Sequence, residues 1–354
     1  NRYAIALANG TVALDVALHA LGLRPGEEVI VTPRSFVASG ACVPFIGGIP
    51  VFAEVDPNSQ NITAASIAAK ITDRTKGIIA VHLAGWPCDM PAIMKLAREH
   101  DLWVIEDCAQ AHGAEIDGQP VGTFGDIAAF SFCQDKIITT GGEGGLISMN
   151  NSDLWARAWA RKDHGKSHDA VFLRQHPSGF RWLHESIGTN GRMMSVQAVI
   201  GSRQLQLLPD WRDIRTRNAN AIRDVLADLD ALRTPAPGPH IRHAYYRFYT
   251  FVRPECLRSD WNRDRIVAKV NAAGVPCFSG SCSEMYLEKC FVENGLAPQE
   301  RLPVARELGE TSIALLVDPT IDIGTARRNG AILRDVVARA TATAPAQTLV
   351  VAGS

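Results

Sequence analysis

The chain has no surplus of charge. Its 36 Lys and Arg stand against 37 Asp and Glu, a formal net charge of -1 over 354 residues. It also lacks a long basic run, which excludes nucleic acid and an anionic membrane surface as general partners. No apolar run approaches the roughly 20 residues of a membrane span. No two cysteines form a C-x-x-C pair. The eight, at 42, 88, 108, 133, 256, 277, 282 and 290, are too sparse for a disulfide scaffold and read as reduced thiols of a cytoplasmic protein. Cys277, Cys282 and Cys290 match no zinc spacing, and His164 and His168 flank Gly165 with no glutamate between them. No metal site is expected. A signal-like segment is missing too, and NRYAIALANG opens without methionine, as though inside a domain.

What is present is an ordinary globular composition, 46% hydrophobic, long enough for about two domains. Short Val- and Ile-rich runs at 28–32, 50–56, 76–83 and 102–107 read as buried strands, and 126–132 and 145–149 add two more. Helical patterns lie between them at 12–22, 37–46, 63–71 and 90–100. This alternation predicts an α/β fold: a mostly parallel central sheet with helices on both faces. A further amphipathic stretch covers 195–232 and is expected to be interrupted at Pro209. Three prolines in TPAPGPH (234–240) break the pattern. A large domain over 1–234 and a smaller C-terminal α+β domain over 235–354 are expected, the latter with strands near 244–252 and 275–278 and helices near 263–274 and 324–341. The last residues, ATATAPAQTLVVAGS, read as a loosely held tail.

Four pieces fall at strand ends, where a doubly wound sheet gathers its ligands. ANGT (8–11) opens a helix and offers free amides and a positive dipole end to a phosphate. Asp107 closes an apolar strand and suits a cationic ring nitrogen. Ser131 ends another strand. Lys136 follows, between an apolar run and the glycines of TTGGEGG (139–145). A partly desolvated amine there is a nucleophile. Each piece alone has a plainer meaning: a helix cap, a capping aspartate, a strand end, a solvated lysine. Together they match what pyridoxal phosphate requires: a lysine for the aldehyde, a carboxylate for the ring nitrogen, a helix N-terminus for the phosphate.

The order of ANGTVALDVALHALGL, PGEEVIVTPRSFVAS, VIEDCAQAHGA, VGTFGDIAAFSF, KIITTGGEGG and GTNGRMMSVQAVIG resembles the DegT/DnrJ/EryC1/StrS aminotransferases, a branch of fold-type I pyridoxal-phosphate enzymes. The resemblance implies that Lys136 binds the cofactor aldehyde and shuttles the proton, and that Asp107 pairs with the ring nitrogen. It implies Gln110 near the ring hydroxyl and Phe36 stacked on the ring. It gives the phosphate to Thr11 and Val12, through backbone amides, and to Ser131. It assigns Asn190 to the phosphate of a neighbouring subunit, hence a homodimer with shared sites. The implied reaction aminates a nucleotide-linked keto sugar, with L-glutamate as donor and pyridoxamine phosphate as the intermediate cofactor form. A keto-cyclitol acceptor and a non-catalytic sensor or scaffold are the alternatives. Two departures stand out: residues that the family carries before ANGT are missing, and CQD (133–135) and SGSCSEMYLEKC (279–290) differ from the common wording.

Overall fold

The Val- and Ile-rich runs become neighbouring strands of one sheet, in a computed structural model that describes residues 1–341. From 342 onward the expected loose tail lies outside the described residues. The sheet comprises β1 (Tyr3–Leu7), β2 (Glu28–Val31), β3 (Ile49–Phe52), β4 (Thr75–Val81), β5 (Trp103–Asp107), β6 (Ile127–Ser131) and β7 (Gly145–Met149). Their order is β1-β7-β6-β5-β4-β2-β3. From β3 to β6 all neighbours are parallel, while β7 runs antiparallel to both β6 and β1. Every residue of β2 is buried, so both faces of the sheet are covered there, as parallel strands demand. Strand β1 was not expected from the sequence. Only Ile5 and Leu7 are buried in it, too few for periodicity to register.

The first helix, α1 (Gly10–Leu21), forms where the alanine- and leucine-rich pattern begins. Asn9 caps it in extended conformation, its Oδ1 accepting from Val12 N at 2.9 Å. Gly22 ends it in the left-handed region. The helix expected over 37–46 breaks into Ala38–Ala41 and a 3-10 turn, Pro44–Ile46. Pro44 has no N–H to continue the ladder, and Gly47 turns the chain at φ 80°.

Pro209 does not interrupt its helix. A single element, α2 (Ser195–Leu226), runs through it. Pro209 is exposed, as is Leu205 one turn earlier, so solvent can take the carbonyl that the proline leaves unbonded. The C-terminal end of α2 packs along α4 (Ile323–Ala340), with α3 (Arg263–Ala272) also against α4. These helices cover a second, antiparallel sheet of β8 (Leu232–Arg233), β9 (Phe248–Val252), β10 (Cys277–Phe278) and β11 (Ser312–Leu315), ordered β8-β9-β11-β10. Its own core includes Ile222, Phe248, Ile313 and Leu333. We propose a domain division near residue 234, two residues after the second sheet begins; the end of α2 then serves the core of the smaller unit. No helix among the described residues is long and apolar enough to cross a membrane. All eight cysteines are free.

The glycine run has a packing cause. A Cβ on Gly145, the first residue of β7, would lie 2.3 Å from the carbonyl oxygen of Asn9. The strand therefore presses directly on the cap of α1. Gly141 and Gly142 adopt φ of 83° and 126°, which side chains tolerate poorly. Gly145→Ala is expected to lower unfolding stability by about 1–3 kcal/mol through overpacking, measured by urea denaturation. It should also weaken phosphate binding at the displaced cap.

Candidate active site

Two parallel strands and one helix deliver their ends to one place. Asp107 ends β5, Ser131 ends β6, and the N-terminus of α1 lies against both. They border a cavity of about 580 Å³ that also takes in Thr11, Val12, Phe36, Gln110 and Lys136. Of the residues expected from the sequence, only Asn190 is absent from this wall. It is exposed, on a segment bridged to Asp163.

The anion cradle is the start of α1. A Cβ on Gly10 would stand 2.7 Å from Ser131 Cβ, so only glycine lets the helix end approach that closely. Among the described residues, the amides of Gly10 and Thr11 have no hydrogen-bond acceptor. The Val12 amide differs: Asn9 Oδ1 already occupies it. The open donors at the helix end are therefore Gly10 and Thr11, with the Ser131 hydroxyl beside them. Such donors at a helix N-terminus attract a phosphate.

Asp107 is fully enclosed. Ser39 Oγ donates to its Oδ2 at 2.8 Å, and Ala109 N donates to Oδ1 at 3.1 Å. Burial pushes its carboxyl above the usual range, partly countered by those two bonds and by the charge of Lys136. Among the described residues no cation forms an ion pair with it. Ser39 was not foreseen from the sequence; its spacing of four from Ser35, whose hydroxyl it meets at 3.0 Å, was the available signal.

Lys136 is 15% exposed at its side chain. Its Nζ lies 3.1 Å from Asp135 Oδ1 and 5.2 Å from the centre of the Tyr246 ring. Tyr246 donates its hydroxyl to Asp135 Oδ2 at 2.5 Å. Burial works to raise the Asp135 carboxyl, but the Tyr246 bond and the Lys136 charge hold it below the ordinary value. Asp135 and Tyr246 escaped the sequence reading because they are 111 positions apart and belong to different sheets' loops. His112 lies behind the site between Phe130 and Phe132. Burial, aided by Lys136 and Arg215, depresses it to about 3, so its imidazole is neutral in ordinary buffers.

Gln110 turns its Oε1 to Ala84 N at 2.7 Å, which leaves its amide protons for the cavity. Phe36 is 66% exposed, an uncovered ring at the cavity mouth. Beneath the floor, Glu106 accepts from the amides of Gly122, Phe124 and Gly125, each at 2.7 Å. His82 Nδ1 accepts from Cys88 N, so its Nε2 carries the proton and donates to Glu106 at 3.1 Å. Cys108 completes a cluster of metal-type ligands with these two. The lone pairs of His82 and Glu106 are already engaged, which makes the cluster a brace for the loop before β6.

This donor set fits pyridoxal phosphate. Two open amides and a hydroxyl suit an anion, a buried carboxylate without an ion-pair partner among the described residues suits a cation, and an amine borders the same cavity. The chain as a whole is matched in known proteins. A family model described as the DegT/DnrJ/EryC1/StrS aminotransferase family covers residues 1–332. A UDP-N-acetyl-3-dehydro-alpha-D-glucosamine 3-aminotransferase of Acidithiobacillus ferrooxidans is 37% identical over 90% of this chain and 80% of its own. A GDP-perosamine synthase of Caulobacter vibrioides is 39% identical over 77% and 70%. The crystal structure of an aminotransferase from Psychrobacter cryohalolentis superposes with a TM-score of 0.93 at 54% identity, over 96% of this chain and 88% of that one.

Asp107→Asn separates the cost of burying the charge from its use. Folded Asp107 has a raised pKa, so its ionised form opposes folding, most of all above that pKa. Without cofactor, the amide variant should therefore unfold at the same temperature as the wild type or higher at pH 8. With cofactor the order should reverse, because losing a charge-assisted contact costs about 1.5–3 kcal/mol of binding. Differential scanning calorimetry with and without pyridoxal phosphate measures both. An equal cofactor-induced rise in Tm for the two proteins would remove Asp107 from the ring nitrogen.

Proposed function

The chain belongs to the DegT/DnrJ/EryC1/StrS aminotransferase family, which works with pyridoxal phosphate, and we propose that it aminates a nucleotide-linked keto sugar using L-glutamate. The observation that carries this is Lys136, which borders both the cofactor cavity and a second cavity of about 340 Å³. The names of the two sugar-modifying relatives point the same way.

When bound, pyridoxal phosphate supplies a carbonyl that exchanges amino groups and a ring that absorbs carbanion charge. The protein's own part follows from its groups. Gly10, Thr11 and Ser131 would hold the phosphate. Asp107 would keep a proton on the ring nitrogen, because two ionised partners in a dry site stabilise each other. Phe36 would cover the ring. Lys136 Nζ would hold the aldehyde and, once free as a neutral amine, would move a proton on and off the substrate carbon. Asp135 is placed to pair with the ammonium that Lys136 becomes on taking that proton, and Tyr246 fixes that carboxylate by its hydrogen bond.

The proposal includes a homodimer whose sites are shared. Its support is Asn190, which faces solvent on a segment with Trp182, 81% exposed, and Ile187, 90% exposed. An exposed apolar patch of this kind marks a protein contact.

Lys136→Ala should abolish turnover while cofactor still binds noncovalently. Borohydride reduction of the wild type followed by peptide mapping should place the label on Lys136, and a label on another lysine would overturn the assignment. For the acceptor, mass spectrometry should detect amination of nucleotide-linked keto sugars with glutamate. Amination of a keto-cyclitol alone would replace the sugar proposal. Mixed dimers of Lys136→Ala and Asn190→Ala subunits, each deficient alone, should regain partial activity, since one site then carries both defects and the other neither. A confirmed mixed dimer without recovery counts against sharing through Asn190.

A further inference from the structure

A second cavity, of about 340 Å³, opens beside the first and shares Phe36, Gln110, Asp135 and Lys136 with it. Its far wall comes from the smaller unit, including Arg247, Tyr249 and Phe278. Lys136 and Arg247 are its only basic residues among those described. Lys136 is committed to the chemistry. Arg247 has no assigned task.

Arg247 is half-buried, yet among the described residues it makes no ion pair. Its guanidinium lies 5.0 Å from the centre of the Tyr246 ring and 5.4 Å from that of Phe278. Lys136 Nζ stands 5.2 Å from the same Tyr246 ring. The acids on the wall do not neutralise Arg247. Asp135 is occupied by Lys136 and Tyr246, and Glu288 is exposed and not bonded to it. A guanidinium stacked on rings and stripped of part of its water is ready for an anion.

The backbone that presents it is strained and braced. Tyr245 sits at φ 46°, a region that bulky residues avoid. His243 Nδ1 accepts from Tyr245 N at 2.8 Å. The buried Arg215 donates to the carbonyls of Tyr245 at 3.2 Å and Tyr246 at 3.4 Å. Tyr246 N donates to Ala84 O at 2.9 Å. Ala84 is itself left-handed at φ 57° and is held by Gln110. Two strained residues thus tie the floor of the cofactor cavity to the segment carrying Arg247. Strain held by so many bonds marks a functional position.

We propose that Arg247 anchors an anionic oxygen group of a substrate, a carboxylate or a phosphate, while that substrate's reacting atom meets Lys136. This rests on the aminotransferase function above. A planar guanidinium binds either group through two parallel N–H bonds. Two sources share this chemistry: a carboxylate of the amino donor and the diphosphate of a nucleotide sugar.

Unreactive probes separate them. Cofactor-loaded protein is titrated calorimetrically with glutarate and, separately, with UDP, GDP and dTDP. At least one probe should bind the wild type, and about tenfold or more weakly to Arg247→Met, as expected for a lost charged contact. Arg247→Lys keeps the charge without the fork and should recover part of the affinity. Both variants should retain the wild-type cofactor absorbance, and the lysine variant carries the test if the methionine variant does not fold. Weakened glutarate alone assigns the donor; weakened nucleoside diphosphate alone assigns the acceptor. Unchanged binding of every probe in the folded variants, or no probe binding to the wild type, overturns the proposal. Unchanged probe binding with intact sugar amination removes Arg247 and leaves the function standing. Weakened binding without sugar amination does the reverse.

Discussion

A buried carboxylate with no ion-pair partner among the described residues organises this molecule. Asp107 ends a central parallel strand, where burial disfavours its ionised form. A site like that is unfavourable unless something completes it. Ser39, Ala109 and the charge of Lys136 do so only in part. In the proposed function a cationic ring nitrogen would supply the rest. Binding would then relieve a local destabilisation of the fold and couple cofactor affinity to stability through one residue.

The surroundings of Asp107 are rigid for a related reason. A cofactor held at three points needs those points fixed relative to each other. The start of α1 is fixed by Asn9 and by the close approach of Gly10 to Ser131 and of Gly145 to Asn9. The loop before β6 is fixed by Glu106 and His82. Gln110 fixes Ala84, and through it Tyr246. Each brace uses backbone amides, so small displacements propagate from one element to the next. The substrate side has a different character. Phe36 is uncovered, and among the described residues Arg247 makes no ion pair.

Much of the site was legible in the chain order. Asp107, Ser131 and Lys136 lie at or just beyond the ends of apolar runs, and a parallel sheet gathers such ends by geometry. Gly10 and Thr11 open a strongly periodic helix. The illegible parts share one cause: their partners are far away in sequence. Asp135 meets Tyr246, and Arg215 meets the carbonyls of Tyr245 and Tyr246, across separations no local pattern encodes. Pro209 misled because its rule concerns the isolated helix. Here the rest of α2 and its packing on α4 outweigh one missing bond at an exposed position.

By itself the sequence determined the alternation of strands and helices, the parallel sheet that follows from it, and the residue types at its carboxyl edge. These are local matters of periodicity, capping and turn chemistry, and a few neighbouring residues suffice to specify them. Only the tertiary structure decided that the Val12 amide is taken by Asn9, that Ser39 supports Asp107, and that Asp135 lies between Lys136 and Tyr246. Burial, charge and bond partners at those positions are set by atoms brought together from distant parts of the chain, and such proximity exists only once the chain has folded.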